Sequence, residues 1–103
     1  MKKPLTPLQI RVSKLKEVAA DAREKLAAEV FAVSRIEEAM SAEAVKGYTT
    51  LTVMPPLPLD LSGTEAAREL LRQLTEAGAR CEWQPRRPTG PDGPIVQALT
   101  ISW

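Results

Sequence analysis

The chain has 103 residues, enough for one domain or for one small domain with an extension. It contains no His and a single Cys. That excludes Ser–His and Cys–His nucleophile pairs, imidazole acid–base work, His-containing metal sites and any disulfide within the chain. Fourteen Lys and Arg stand against thirteen Asp and Glu, a net charge of +1 that gives no overall bias toward nucleic acid or a membrane.

Hydrophobic residues are 44% and charged residues 26%, the range of ordinary globular domains. No apolar run approaches the roughly 20 residues of a membrane span. Residues 1–7 start with charge and lead into no apolar core, so no secretory signal is expected. The expected compartment is the cytoplasm or a particle assembled there.

Thr6, Pro7 and Gln9 have the spacing of a capping box, with Leu5 and Ile10 at the positions of a hydrophobic staple. Gly47 is the next stop signal, preceded by Lys46. No Pro occurs between residues 8 and 54, so the pattern predicts one helix from about 7 to 46, roughly 60 Å long. A heptad frame places Leu8, Val12, Leu15, Ala19, Ala22, Leu26, Val33, Ile36 and Met40 on one seam, interrupted by Glu29 and Glu43. A stripe of that length exceeds what the remaining residues can cover, which predicts a coiled-coil rod over 1–46 and a homo-oligomer. The other reading is an amphipathic helix folded back on its own domain with a kink near Glu29. Val30 and Phe31 lie outside the seam and widen the apolar face toward a partner or the following domain.

Residues 47–103 read as a small β-α-β-β head, which makes the fold class α+β. Tyr48–Met54 alternates as a strand and ends at Pro55-Pro56-Leu57-Pro58. Ser62 and Glu65 have capping-box spacing for a helix running to about Ala77, with Ala66, Ala67, Leu70, Leu71 and Leu74 on one face and Gly78 as its stop. Ala79, Cys81 and Trp83 then alternate with Arg80, Glu82 and Gln84. Residues 85–94 form a turn-rich loop, and Ile95 to Trp103 a last strand with Ile95, Leu99, Ile101 and Trp103 on one face. The first two strands are expected to run in the same direction and the last to return antiparallel to the second. One helix covers one face of such a sheet, so the other face is expected to meet the long helix, a neighbour or water.

Charge is uneven along the chain. Residues 1–16 carry Lys2, Lys3, Arg11, Lys14 and Lys16 without an acid (+5), residues 17–46 carry −3, and residues 47–103 carry −1. Such an end suits an acidic partner surface or, less favoured, nucleic acid, and a solvated helix end is the preferred reading over both. Arg86 and Arg87 read as turn residues, and Cys81 as a small buried side chain. No metal-loop spacing and no P-loop occur, so no catalytic residue, cofactor, metal or small-molecule substrate is expected. Trp103 is expected to close the head's core or to dock in a neighbour's pocket.

Lys46-Gly47-Tyr48, the segment Leu74-Thr75-Glu76-Ala77-Gly78-Ala79 and the strand Leu99-Thr100-Ile101-Ser102-Trp103 give residues 36–103 a recognisable pattern. It resembles a group of small virion-associated proteins of tailed bacteriophages that end in a similar Ile-Ser-Trp strand. The resemblance implies a non-enzymatic structural component, oligomeric and in contact with other virion proteins, located in the virion after assembly in host cytoplasm. The alternatives are a cellular coiled-coil adaptor or regulatory module and a nucleic-acid binder using residues 1–16.

Overall fold

The computed structural model describes Pro4 and residues 6–103. Lys2, Lys3 and the staple residue Leu5 lie outside the described residues. The fold is α+β: three helices and a three-stranded antiparallel sheet. Helix α1 spans Pro7–Val30, α2 Val33–Val45 and α3 Glu65–Glu76; the strands are β1 (Thr50–Val53), β2 (Arg80–Arg86) and β3 (Val96–Ser102).

The capping box at the start of α1 forms as its spacing requires. The Gln9 N–H donates to Thr6 Oγ1 at 3.1 Å and the Thr6 N–H donates to Gln9 Oε1 at 2.8 Å. The single helix expected over 7–46, however, is two helices. Phe31 ends α1 with its N–H still donating to the Ala27 carbonyl, and Ala32 turns to an extended backbone (φ −60°, ψ 127°) before α2 begins. Helical geometry explains the break. Ala27 and Ile36 are nine residues apart and would face opposite sides of a continuous helix, while Phe31 and Ile36 would diverge by about 140°. All three are buried in one core, at 0%, 3% and 3% exposure. A straight helix could not place them there. The Arg35 guanidinium, donating to the Glu29 carbonyl at 3.3 Å, takes up one acceptor freed by the break.

The sheet order is β1-β3-β2, with β3 antiparallel to both neighbours. β1 and β2 therefore run in the same direction without touching. Leu99 and Ile101 of β3 are fully buried, flanked by Leu51 and Val53 of β1 and by Cys81 and Trp83 of β2. The end of α1, α2 and α3 all cover this face. The long helix does not cross to the opposite face, which carries Thr50, Thr52, Glu82, Gln84, Val96 and Ala98. Val96 and Ala98 are buried there beside Arg86 and Gln84, whose side chains hydrogen-bond to each other at 2.6 Å. The expected β3 stripe is buried only in its middle: Ile95 is 53% and Trp103 40% exposed.

Helix α3 starts two residues later than the Ser62–Glu65 spacing suggested. Thr64 is the N-cap, accepting from the Ala67 N–H at 3.3 Å and donating to the Leu61 carbonyl at 2.7 Å. The Ser62 N–H and hydroxyl instead donate to the Asp60 carboxylate. Gly78 and Gly47 take φ of 94° and 95° after their helices, the left-handed stop both were assigned.

Phe31 packs edge-on against Trp83, ring centroids 5.8 Å apart, and ties the helix break to β2. Phe31→Ala should lower unfolding free energy by about 3–5 kcal/mol, measured by urea denaturation; a loss under ~1 kcal/mol would show that the break does not anchor the core.

Candidate interaction surface

The expected seam divides at the head. Leu26 and Met40 pack against the core and Ile36 lies within it, whereas Val33 stays on the surface at 36% exposure. Val33, Ile36 and Met40 cannot form a continuous interhelical seam with the residues before them, because the helix breaks at Phe31–Ala32; Leu26 lies on the same helix as those residues and is taken up by its contact with the head. The N-terminal part remains free. Leu8, Val12 and Leu15 are 72%, 42% and 58% exposed, and Ala19 and Ala22 are also exposed. The free rod thus ends near Leu26, and the head includes the end of α1 and all of α2.

The rod's projection shows in the molecular dimensions. The chain extends 63 × 34 × 20 Å, and its radius of gyration is 17.5 Å. A compact domain of this length would have about 13 Å. The buried Ala27 follows Leu26 by one residue and so points about 100° from it around the axis. The head therefore grips one side of α1 and leaves the stripe from Leu8 to Ala22 uncovered.

Sequence reasoning missed the contact that fixes the rod's direction. The carboxylate of Glu24 accepts from the Glu65 N–H through both oxygens at 3.2 Å, adding a negative charge to the N-terminus of α3 across 41 residues of sequence. Nothing local signals it, since Glu24 belongs to a run of ordinary helical residues and its partner is a backbone donor.

The described bases of the N-terminal segment sit on different sides of the rod. Arg11 and Lys14 lie on one flank of the stripe and Lys16 on the other. In the loop after β2, Arg87 donates to the carbonyls of Pro91 and Gly93 at 2.8 and 3.1 Å, so its guanidinium holds the loop's own backbone. Cys81 faces the core, and burial pushes its thiol above the ordinary value, away from nucleophilic use. Trp103 does not close the core. Its backbone N–H donates to the Thr49 carbonyl at 2.9 Å, and its side chain stays partly exposed. A shallow apolar groove lined by Ile36, Ala39, Leu51, Val53 and Met54 runs between α2 and β1. Among the described residues no His, Cys, Asp and Glu cluster could hold a metal, and no helix is long and apolar enough to cross a membrane.

On the outer side of α3, Arg72 pairs with Glu69 and, at 2.8 Å, with Glu76. The guanidinium and the Gln73 amide hold Glu69 down to about 2. Asp60 is likewise lowered by its hydrogen bonds from Ser62.

No protein-family model, curated protein or solved structure matches the chain.

Two predictions follow from these contacts. Glu24→Ala should lower unfolding free energy by about 1 kcal/mol, measured by urea denaturation; no change would remove Glu24 as a cap. Because Glu69 is depressed when folded, its stabilisation is present above the ordinary carboxylate range and fades as pH falls toward about 2. The urea midpoint of Glu69→Gln should therefore vary less with acid pH than that of the parent, by a margin that shrinks in high salt. Parallel pH profiles would contradict this.

Proposed function

We propose that the chain is a non-enzymatic structural or accessory component of a tailed-phage virion, assembled through its N-terminal helix with copies of itself or with other virion proteins, and docking through its small head. The observation that carries the assembly role is the uncovered stripe Leu8, Val12, Leu15, Ala19 and Ala22 on a helix that projects from a complete core. Apolar side chains at heptad spacing on a projecting rod are poorly suited to a chain that works alone and well suited to a helical partner. The head offers two exposed features for docking, the α2–β1 groove and the half-exposed Trp103 after β3. The virion setting rests on the resemblance of residues 36–103.

A cellular coiled-coil adaptor uses the same stripe in another setting. Presence in purified particles separates the two. A nucleic-acid role for Arg11, Lys14 and Lys16 is less well supported, because these bases flank an apolar stripe on both sides and do not make one basic face.

The test pairs particle composition with a rod variant. Val12→Asp/Leu15→Asp alters exposed positions outside the core, so its unfolding free energy should stay within about 0.5 kcal/mol of the parent. The parent should co-purify with virions and the variant should be left in the soluble fraction. Particles that retain the variant as fully as the parent would overturn the rod's role, and particles containing neither would overturn the virion setting.

A further inference from the structure

The charges beside the stripe identify the kind of helix that fits it. In the heptad frame Leu8, Leu15 and Ala22 occupy one seam position and Val12, Ala19 and Leu26 the other. The positions that flank such a seam, and that face a partner's flanks in a coiled coil, are then Gln9, Lys16 and Arg23 on one side and Arg11, Val18 and Lys25 on the other. Every charge among these six is positive. The acids of the same segment, Glu17, Asp21 and Glu24, fall about 160–220° around the axis from Leu8, on the back of the rod. Among the described residues, the ion pairs are Lys46–Glu43, Arg72–Glu69 and Arg72–Glu76, so none of the four flanking bases is paired within the chain.

A second copy is a poor occupant of this surface. In a parallel pair, Arg11 of one copy faces Lys16 of the other. In an antiparallel pair like flank meets like flank, and the charges on both are again basic. The apolar contribution that would have to outweigh this repulsion is small, because Ala19 and Ala22 bury little area and the seam is already lost to the head beyond Leu26. A lipid surface is also a poor match. The stripe has no aromatic side chain to anchor at an interface, and its two Ala instead permit the close approach of another helix. Nucleic acid would satisfy the bases and leave the apolar centre of the stripe unused.

We infer that the rod of α1 is a docking surface for an amphipathic helix of a different protein, one with an apolar seam and Glu or Asp at its flanking positions. This rests on the assembly role proposed above and specifies its partner. Each flanking base then gains an acidic neighbour, and the two Ala layers receive larger side chains from the partner.

The test titrates the full chain with two synthetic helical peptides of the rod's length, both with Leu and Ile in the seam, one with Glu and the other with Lys at every flanking position. The Glu peptide should form a mixed complex that weakens as salt rises, and the Lys peptide should not bind. Arg11→Glu/Lys16→Glu, which lies away from the core, should weaken the Glu peptide by roughly tenfold and acquire affinity for the Lys peptide. Equal binding of both peptides would overturn the inference. So would preferential binding to phosphatidylserine vesicles or duplex DNA. A homo-oligomer that the Glu peptide cannot dissociate would overturn the partner's identity while leaving the assembly role standing. A chain that neither self-associates nor binds either peptide, and that is missing from particles, would overturn both.

Discussion

Ala27, Phe31 and Ile36 must enter one core from a stretch of chain that strongly favours helix, and most of the architecture follows from that demand. Regular helical geometry sends Ala27 and Ile36 to opposite sides. The backbone resolves the conflict by leaving the helix for one extended residue at Ala32. The loss of a few helical hydrogen bonds is offset by burial of a Phe, an Ile and the Phe31–Trp83 contact. The same break turns α2 back onto the sheet, sets the direction of α1 and determines where the head ends. Glu24 then fixes the exit angle by joining the rod to the first turn of α3.

The free stripe is a direct product of this arrangement. Had the chain continued as one helix, Leu26, Ile36 and Met40 would have extended the seam and the head would have lacked the contributions of Ile36 and Met40. By withdrawing them, the head becomes self-sufficient on one face of its sheet, and the seam shortens to the part before Leu26. A short seam with two Ala layers is sensitive to what flanks it, so charges worth a few tenths of a kcal/mol each become decisive in choosing a partner.

The sequence was legible wherever the signal was local. The Thr6–Gln9 box, the stops at Gly47 and Gly78, the apolar face of α3 and the alternation of β2 all depend on residues a few positions apart, and each formed at or near its expected place. The break at Phe31–Ala32 was legible only as the second reading, a helix folded back with a kink near Glu29; no Pro or Gly marks the position, and the break is imposed by a sheet that lies later in the chain. The same holds for Glu24, whose partner is a backbone group. For the seam, periodicity picks out the apolar stripe of α1, but periodicity alone does not say which heptads a domain will take for its own core. Ile95 and Trp103 failed as core residues for a related reason. They share a face with Leu99 and Ile101, but the covering helices reach only the middle of the strand.

The sheet order has a consequence for how the head comes into being. β3 is the central strand and also the last in chain order, so β1 and β2 have no hydrogen-bonding partner until residues 96–102 arrive. During synthesis, α1 can wind as soon as it emerges, because its bonds are internal, whereas the head remains an open set of apolar pieces. The rod is therefore available to a partner before the head exists. A helix that captured α1 at that stage would hold an unfinished chain in place while its sheet closed, so that attachment and folding could proceed as one event.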